Sequence, residues 1–226
     1  PQAEAMVFDD RRWTYAQLDA WSRRLAGALA AQGLAAGERV ILLLSNRPEF
    51  AAVLLALLRL GVIAVPVGVR EQRPGLAYIA QQCGARAIVF DAALADRVPL
   101  ADDAPDLMLR VAAELLESLP VAAEPPARAG AETDCAVILY TSGTTGRPKG
   151  AELSHFNMTS NAMTCADKLL GPREDDVGLA TLPLFHSFGQ TCVMNMLLYC
   201  GATISLLPRF EPQRALEVMA RDRVSY

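Results

Sequence analysis

The stretch RVILLLSNRPEFAAVLLALLRLGVIAVPV, residues 39–67, decides the fold class. Val40 to Leu44 are all apolar, with no polar alternation. A strand that is apolar on both sides is covered on both sides, as in a parallel sheet. Asn46 and Pro48 then supply a helix start, because proline lacks the N–H that a first-turn residue would leave unpaired anyway. The apolar helix EFAAVLLALLRL stops at Gly61, and VIAVPV returns as a second strand without alternation. Strand, helix and strand in this order predict a parallel crossover unit. Residues 50–69 are long enough to raise the question of a membrane span. Arg59 in their middle, followed by Gly61, Pro66 and Gly68, favours a buried helix and strand, so no integral membrane segment is expected.

The same rhythm extends both ways. Upstream, LDAWSRRLAGALAAQG places Leu18, Trp21, Leu25 and Leu29 on one helical face and ends at Gly33. Downstream, LAYIAQQCG reads as a helix and AIVF as a strand. The Pro-, Ala- and Gly-rich run at residues 118–134 interrupts the pattern and reads as a variable surface connection. The rhythm resumes with the strand CAVILY, a polar loop, a short apolar AEL, and a helix from Ser154 to about Leu170. GLATLPLF and ATISLL read as strands, TCVMNMLLYCG and PQRALEVMARD as helices, and RVSY as the start of a further strand. The predicted class is α/β, with layered parallel sheets covered by helices.

Composition narrows the function. With 52% hydrophobic residues the chain can fill a core, which excludes disorder. A formal net charge of −4 and the lack of a basic run argue against nucleic acid. Five cysteines at irregular spacing, with only two histidines, form no zinc pattern, so no metal site is expected from this chain. Reduced, buried thiols in a cytoplasmic protein are the expectation. The opening PQAEAMVFDD lacks the charged start and apolar core of a secretory signal.

The loop between CAVILY and AEL carries the chemistry. In TSGTTGRPKG, residues 141–150, Thr141, Ser142, Thr144 and Thr145 offer hydroxyl donors and Lys149 a compact charge. Gly143 and Gly146 permit close approach of a ligand to the backbone. Backbone N–H groups converging after a strand make an anion-binding concavity. The stretch is not a Walker A loop. Pro148 precedes the lysine where that motif has glycine, and Gly150 stands where it needs a magnesium-binding hydroxyl.

YTSGTTGRPKG closely resembles the phosphate-loop signature of the adenylate-forming enzymes, which include acyl-CoA synthetases, peptide-synthetase adenylation domains and luciferases. LPLFHSFGQ, residues 182–190, resembles a second motif of that family, and residues 14–67 resemble its N-terminal region. The resemblance implies an enzyme that joins a carboxylic acid to AMP, releases pyrophosphate, and passes the acyl group to a thiol. ATP, Mg²⁺ and coenzyme A are the implied cofactors. Thr141, Ser142, Gly143, Thr144, Thr145, Gly146, Lys149 and Gly150 would cradle the phosphates. Lys149 would pair with the leaving pyrophosphate, and His186 would position and polarise the reacting carboxylate. Phe185, Phe188, Gly189 and Gln190 would border the acyl pocket. His155 and Asn157 occupy positions frequent in the family and read as helix-start residues.

LPLFHSFGQT is more similar to the fatty acyl-CoA ligases than to the amino-acid activators. No Asp or Glu occurs at residues 188–198 to hold a substrate ammonium. A medium- or long-chain fatty acid is expected first and an aryl acid second. The rival reading is a non-catalytic nucleotide-binding module. The resemblance also implies that residues 1–226 form an incomplete N-terminal AMP-binding domain, inactive alone, without the small C-terminal domain. The open final strand predicts exposed apolar surface, and a homo-oligomer stays an open alternative.

Overall fold

Ten strands and six α-helices follow one another in a computed structural model that describes residues 2–121, 130–141 and 147–226. The strands are β1 Glu4–Phe8, β2 Arg11–Thr14, β3 Arg39–Leu43, β4 Ile63–Pro66, β5 Ala85–Phe90, β6 Leu109–Ala112, β7 Cys135–Thr141, β8 Lys149–Ser154, β9 Val177–Ala180 and β10 Thr203–Leu206. The helices are α1 Tyr15–Ala31, α2 Pro48–Leu60, α3 Arg73–Cys83, α4 His155–Thr164, α5 Met196–Cys200 and α6 Pro212–Asp222. Short 3₁₀ turns occupy Ala92–Arg97 and Ala113–Ser118. Two π-helical segments, Cys165–Leu170 and Phe188–Asn195, adjoin α4 and α5.

The strands form two sheets, and the chain divides into two compact units, one around each. The larger unit comprises Ser22–Leu44 and Val53–His155. Its sheet has the order β6-β5-β3-β4-β7-β8. β3 pairs parallel with β4, as the opening stretch predicts, and on its other side parallel with β5. Val40 to Leu44 are all fully buried, which accounts for their lack of alternation. One face of this sheet packs Ile41, Leu43, Val65 and Ile88 against Leu76, Ile79 and Ala80 of α3. Each such Leu, Ile or Val side chain contributes about 1.5–3 kcal/mol when taken fully from water.

The smaller unit comprises Pro1–Trp21, Ser45–Ala52 and Phe156–Tyr226. Its sheet has the order β2-β1-β10-β9. β1 pairs parallel with β10 and β10 with β9. Leu207, Ala215 and Val218 pack together, seating α6 beside Leu179 of β9.

The structure departs from the purely parallel expectation at two edges. β8 pairs antiparallel with β7, and β2 antiparallel with β1. Both are hairpins, where a short connection leaves no room for a crossover. The β1–β2 hairpin turns at Asp9, whose φ of 52° aspartate tolerates better than most residues. The strand read through GLATLPLF ends earlier, at Ala180, and the chain bends at Leu182, before Pro183. RVSY is not a full strand, although Ser225 N and Tyr226 N donate to Val177 O, and Leu179 N donates to Tyr226 O along the β9 edge. The thiols are less buried than expected: only Cys165 is fully so, and the other four are half-exposed. No helix among the described residues is long and apolar enough to cross a membrane. Of residues 118–134, expected to be a surface connection, 122–129 lie outside the described residues. The remainder is exposed except for partly covered Leu119 and Asp134.

Candidate functional site

The predicted phosphate-loop residues belong to the larger unit and the predicted acyl-pocket residues to the smaller one. Each group has its own local architecture.

In the larger unit, β7 runs out of the core and β8 returns beside it. Their register pairs Thr141 directly with Lys149, so these two residues form the mouth of a hairpin. Thr141 Oγ1 donates to Lys149 O at 3.5 Å, and both residues are exposed. Ser142, Gly143, Thr144, Thr145 and Gly146 lie outside the described residues. The returning end of the loop is anchored by α3. Tyr78 Oη donates to Pro148 O at 3.2 Å, and the Arg147 guanidinium stands 5.9 Å from the centre of the Tyr78 ring. Such a contact between a guanidinium and an aromatic face is attractive. Tyr78 thus fixes the backbone immediately before Lys149, a role sequence reading did not assign. Tyr140, the residue before Thr141, donates its phenol to Gln82 Oε1 on the same helix. Burial, and then the neighbouring Cys83 thiol, hold that phenol well above its ordinary pKa, so it stays a donor. Gly150 has a packing reason besides any ligand: a Cβ there would meet Ile138 Cγ2 at 2.8 Å and the Tyr140 ring at 3.4 Å.

A cleft of about 380 Å³ on this unit is lined by Leu58, Arg59, Glu132, Asp134 and His155, among others. It includes neither Thr141 nor Lys149. His155 opens α4, and its backbone N–H donates to Asp134 O at 3.1 Å, in keeping with a helix-start residue.

In the smaller unit, Phe185, His186, Phe188, Gly189 and Gln190 are brought together where the loop after β9 enters the π-helical segment. The loop is clamped by Asn46, a buried residue read from sequence only as a helix start. Asn46 Nδ2 donates to Ala180 O at 3.0 Å and Leu182 O at 2.9 Å. Its Oδ1 accepts from Leu184 N at 2.9 Å. One amide therefore satisfies three backbone groups within six residues of His186. The helix starts tightly against the loop: His186 N donates to Pro183 O, and Gln190 N to His186 O. Gly189 is required there, since a Cβ would come within 2.3 Å of Pro183 O and 2.8 Å of Leu182 O, both backbone atoms.

His186 is exposed. Its Nδ1 accepts from Phe188 N at 3.2 Å, which puts the proton of the neutral ring on Nε2. The ring therefore presents an N–H donor from its free side. Phe188 is also exposed and Phe185 half-buried. Gln190 is fully buried, and neither its amide nitrogen nor its oxygen has a partner among the described residues. No group of three His, Cys, Asp or Glu side chains among the described residues could hold a metal ion.

The long-chain-fatty-acid–CoA ligase FadD13 of Mycobacterium tuberculosis is 34% identical, covering 99% of this chain and 46% of that protein. The indoleacetate–CoA ligase of Aromatoleum aromaticum is 36% identical, covering 100% and 46%. Among solved structures, o-succinylbenzoate CoA synthetase of Bacillus subtilis in complex with an acyl-adenylate intermediate superimposes with a TM-score of 0.88. Its identity is 28%, with 99% of this chain and 57% of that one covered. The same enzyme in complex with ATP and magnesium ion gives a TM-score of 0.86 at 26% identity, covering 99% and 59%. The chain spans about half the length of the curated relatives it matches. The AMP-binding enzyme family matches residues 1–226, and the chain belongs to that family.

Proposed function

We propose that this chain is the nucleotide-handling part of an AMP-forming acid–CoA ligase whose substrate is a medium- or long-chain fatty acid. The observation that carries the reading is the β7–β8 hairpin, which holds exposed Lys149 opposite Thr141 at the two ends of a Ser-, Thr- and Gly-rich connection. The donor set there is one of N–H, hydroxyl and ammonium groups, which fits an anion.

On this reading residues 141–146, Lys149 and Gly150 surround the β- and γ-phosphates, and the ammonium offsets charge on the departing pyrophosphate. ATP would supply the adenylyl group, coenzyme A the accepting thiol, and Mg²⁺ would offset phosphate charge. His186 meets a carboxylate oxygen through Nε2–H, the side of the ring that Phe188 leaves free. It orients and polarises and does not act as a nucleophile. Phe185, Phe188, Gly189 and Gln190 border the acyl chain. The absence of an acidic residue at 188–198 and the likeness to FadD13 support a fatty acid. The likeness to an indoleacetate–CoA ligase favours an aryl acid as the second reading. Residues 1–226 are read as part of an N-terminal AMP-binding domain, with 118–134 as its variable surface connection and a cytoplasmic setting.

The test is carboxylate-dependent ATP–pyrophosphate exchange, run on this chain and on any longer protein that contains it, with fatty, aryl and amino acids. Exchange with fatty acids supports the proposal, and exchange confined to aryl acids moves the substrate to the second reading. Nucleotide binding without exchange for any acid would replace the ligase with a non-catalytic nucleotide-binding module.

A further inference from the structure

The two π-helical segments of the smaller unit are linked by a pair of thiols that the ligase reading does not use. Cys165 Sγ–H donates to Cys192 Sγ at 3.4 Å. Asn161 Oδ1 lies 3.7 Å from each sulfur, so one amide oxygen faces both thiols. Cys165 begins the segment Cys165–Leu170. Cys192 sits within Phe188–Asn195, two residues beyond Gln190. π-Helical turns are weak points of helical hydrogen bonding and frequent at functional positions. Other thiols have different surroundings: Cys83 donates to Ala80 O and Cys135 to Val137 O.

We propose that Cys165 and Cys192 form an oxidisable dithiol, a modification site that a small hydroperoxide converts to a disulfide. Sulfurs already in contact need only small side-chain rotations to reach the bonding distance of about 2.05 Å. Cys192, the more accessible of the two, reacts first. Its thiolate attacks one peroxide oxygen, the O–O bond breaks, and a sulfenic acid forms with release of hydroxide or alkoxide. The Cys165 sulfur then attacks the sulfenic sulfur, the S–O bond breaks, and the oxygen leaves as water with the remaining thiol proton. Two thiols lose two electrons in total, and the hydroperoxide is reduced to water, or to water and an alcohol. The new bond ties the segment after α4 to the segment that carries Gln190. It adds a covalent link between two stretches whose thiols, in the reduced protein, only touch.

Peptide mapping of the wild-type chain tests the inference. The chain is oxidised with hydrogen peroxide at about pH 9, where thiolates are more populated, then blocked with N-ethylmaleimide and digested with trypsin. Peptide 150–168, holding Cys165, should be recovered joined to peptide 174–209, with fragmentation placing the link at Cys192 and not Cys200. The linked species should run as a monomer on a non-reducing gel and revert fully with dithiothreitol. Cys165→Ser should leave a sulfenic acid at Cys192 that dimedone traps with roughly tenfold or greater yield than in the wild type, because the neighbouring attacker is gone. Cys200→Ser should leave the link unchanged. Sulfinic acid at Cys192 with Cys165 still alkylated in the wild type would overturn the proposal. So would links scattered over all five cysteines, or a link found only between two chains.

Discussion

Lys149 and Gln190 differ in how the sequence discloses them. Lys149 was legible because its neighbours define a loop chemistry, and the structure sets it opposite Thr141 at the hairpin mouth. On the proposed function, Lys149→Ala in the complete enzyme should slow adenylate formation by well over tenfold, since a charge-assisted contact of about 1.5–3 kcal/mol is lost. Unchanged pyrophosphate exchange in that variant would remove the lysine from the reaction. Gln190 was named from its motif, but its missing partners are visible only in three dimensions. An unpaired buried polar group costs about 1–3 kcal/mol. Gln190→Leu should therefore raise the thermal midpoint of the chain measured without ligands, and a lowered midpoint would mean that the amide is satisfied. Cys192 offers a third residue-level check. Burial and the adjacent Cys165 push its thiol up to about 11, so little thiolate exists at neutral pH. Alkylation by iodoacetamide at pH 7 should be roughly a hundredfold slower than for an ordinary thiol and should accelerate with each pH unit up to about 11. A rate that levels off near pH 8 would contradict that ordering.

At the scale of elements, the apolar strands and the helix starts at Pro48 and Pro212 were readable, because unalternating runs and first-turn prolines have a single physical explanation each. The β1–β2 hairpin was not readable, since VFDDRRW carries neither glycine nor asparagine at its turn. The end of β9 was missed for a different reason. TLPLF is apolar enough to continue a strand, and what turns it away is a side chain more than 130 residues distant. Asn46 holds the carbonyls of Ala180 and Leu182 and the N–H of Leu184, which fixes the loop leading to His186. Asn46→Ala should cost about 2–4 kcal/mol, because it strands several backbone groups near the buried Leu184. On the ligase reading it should lower kcat for adenylation while leaving KM for ATP nearly unchanged. Asn46→Asp, which keeps the acceptor for Leu184 N but loses both donations, should recover only part of the stability. Full recovery would show that the two carbonyls need no donor.

At the scale of the whole molecule, long-range pairing was the least legible feature. Local pattern reads β10 as a strand but leaves β1 unread. It does not show that residues some 200 positions apart lie side by side, with Met6 opposite Ile204 and Val7 opposite Ser205. A polar cluster spans the same distance. Asp222, whose side chain is fully covered, takes two hydrogen bonds of 2.8 Å from Arg221 and one of 2.6 Å from Ser205, while Arg12 approaches at 3.5 Å and also grips Glu4. Burial alone would raise the carboxyl pKa. The bonds from Arg221 and Ser205, with the charges of Arg221 and Arg12, outweigh it and hold the group below the ordinary carboxylate value. Because the folded state binds the proton less readily than the unfolded one, the contribution is present in full above the ordinary value near 4. It disappears as pH falls from there through the lower folded value. Asp222→Ala should therefore destabilise the chain by about 3–5 kcal/mol at neutral pH, since it leaves Arg221 and Ser205 without their partner. It should also flatten the fall in stability below about pH 4. Urea melts of both proteins across pH 3 to 7 would measure the two effects together. If the difference between them stayed constant down to pH 3, Asp222 would be titrating as an ordinary surface carboxylate, and the cluster would join β1, β2, β10 and α6 by packing alone.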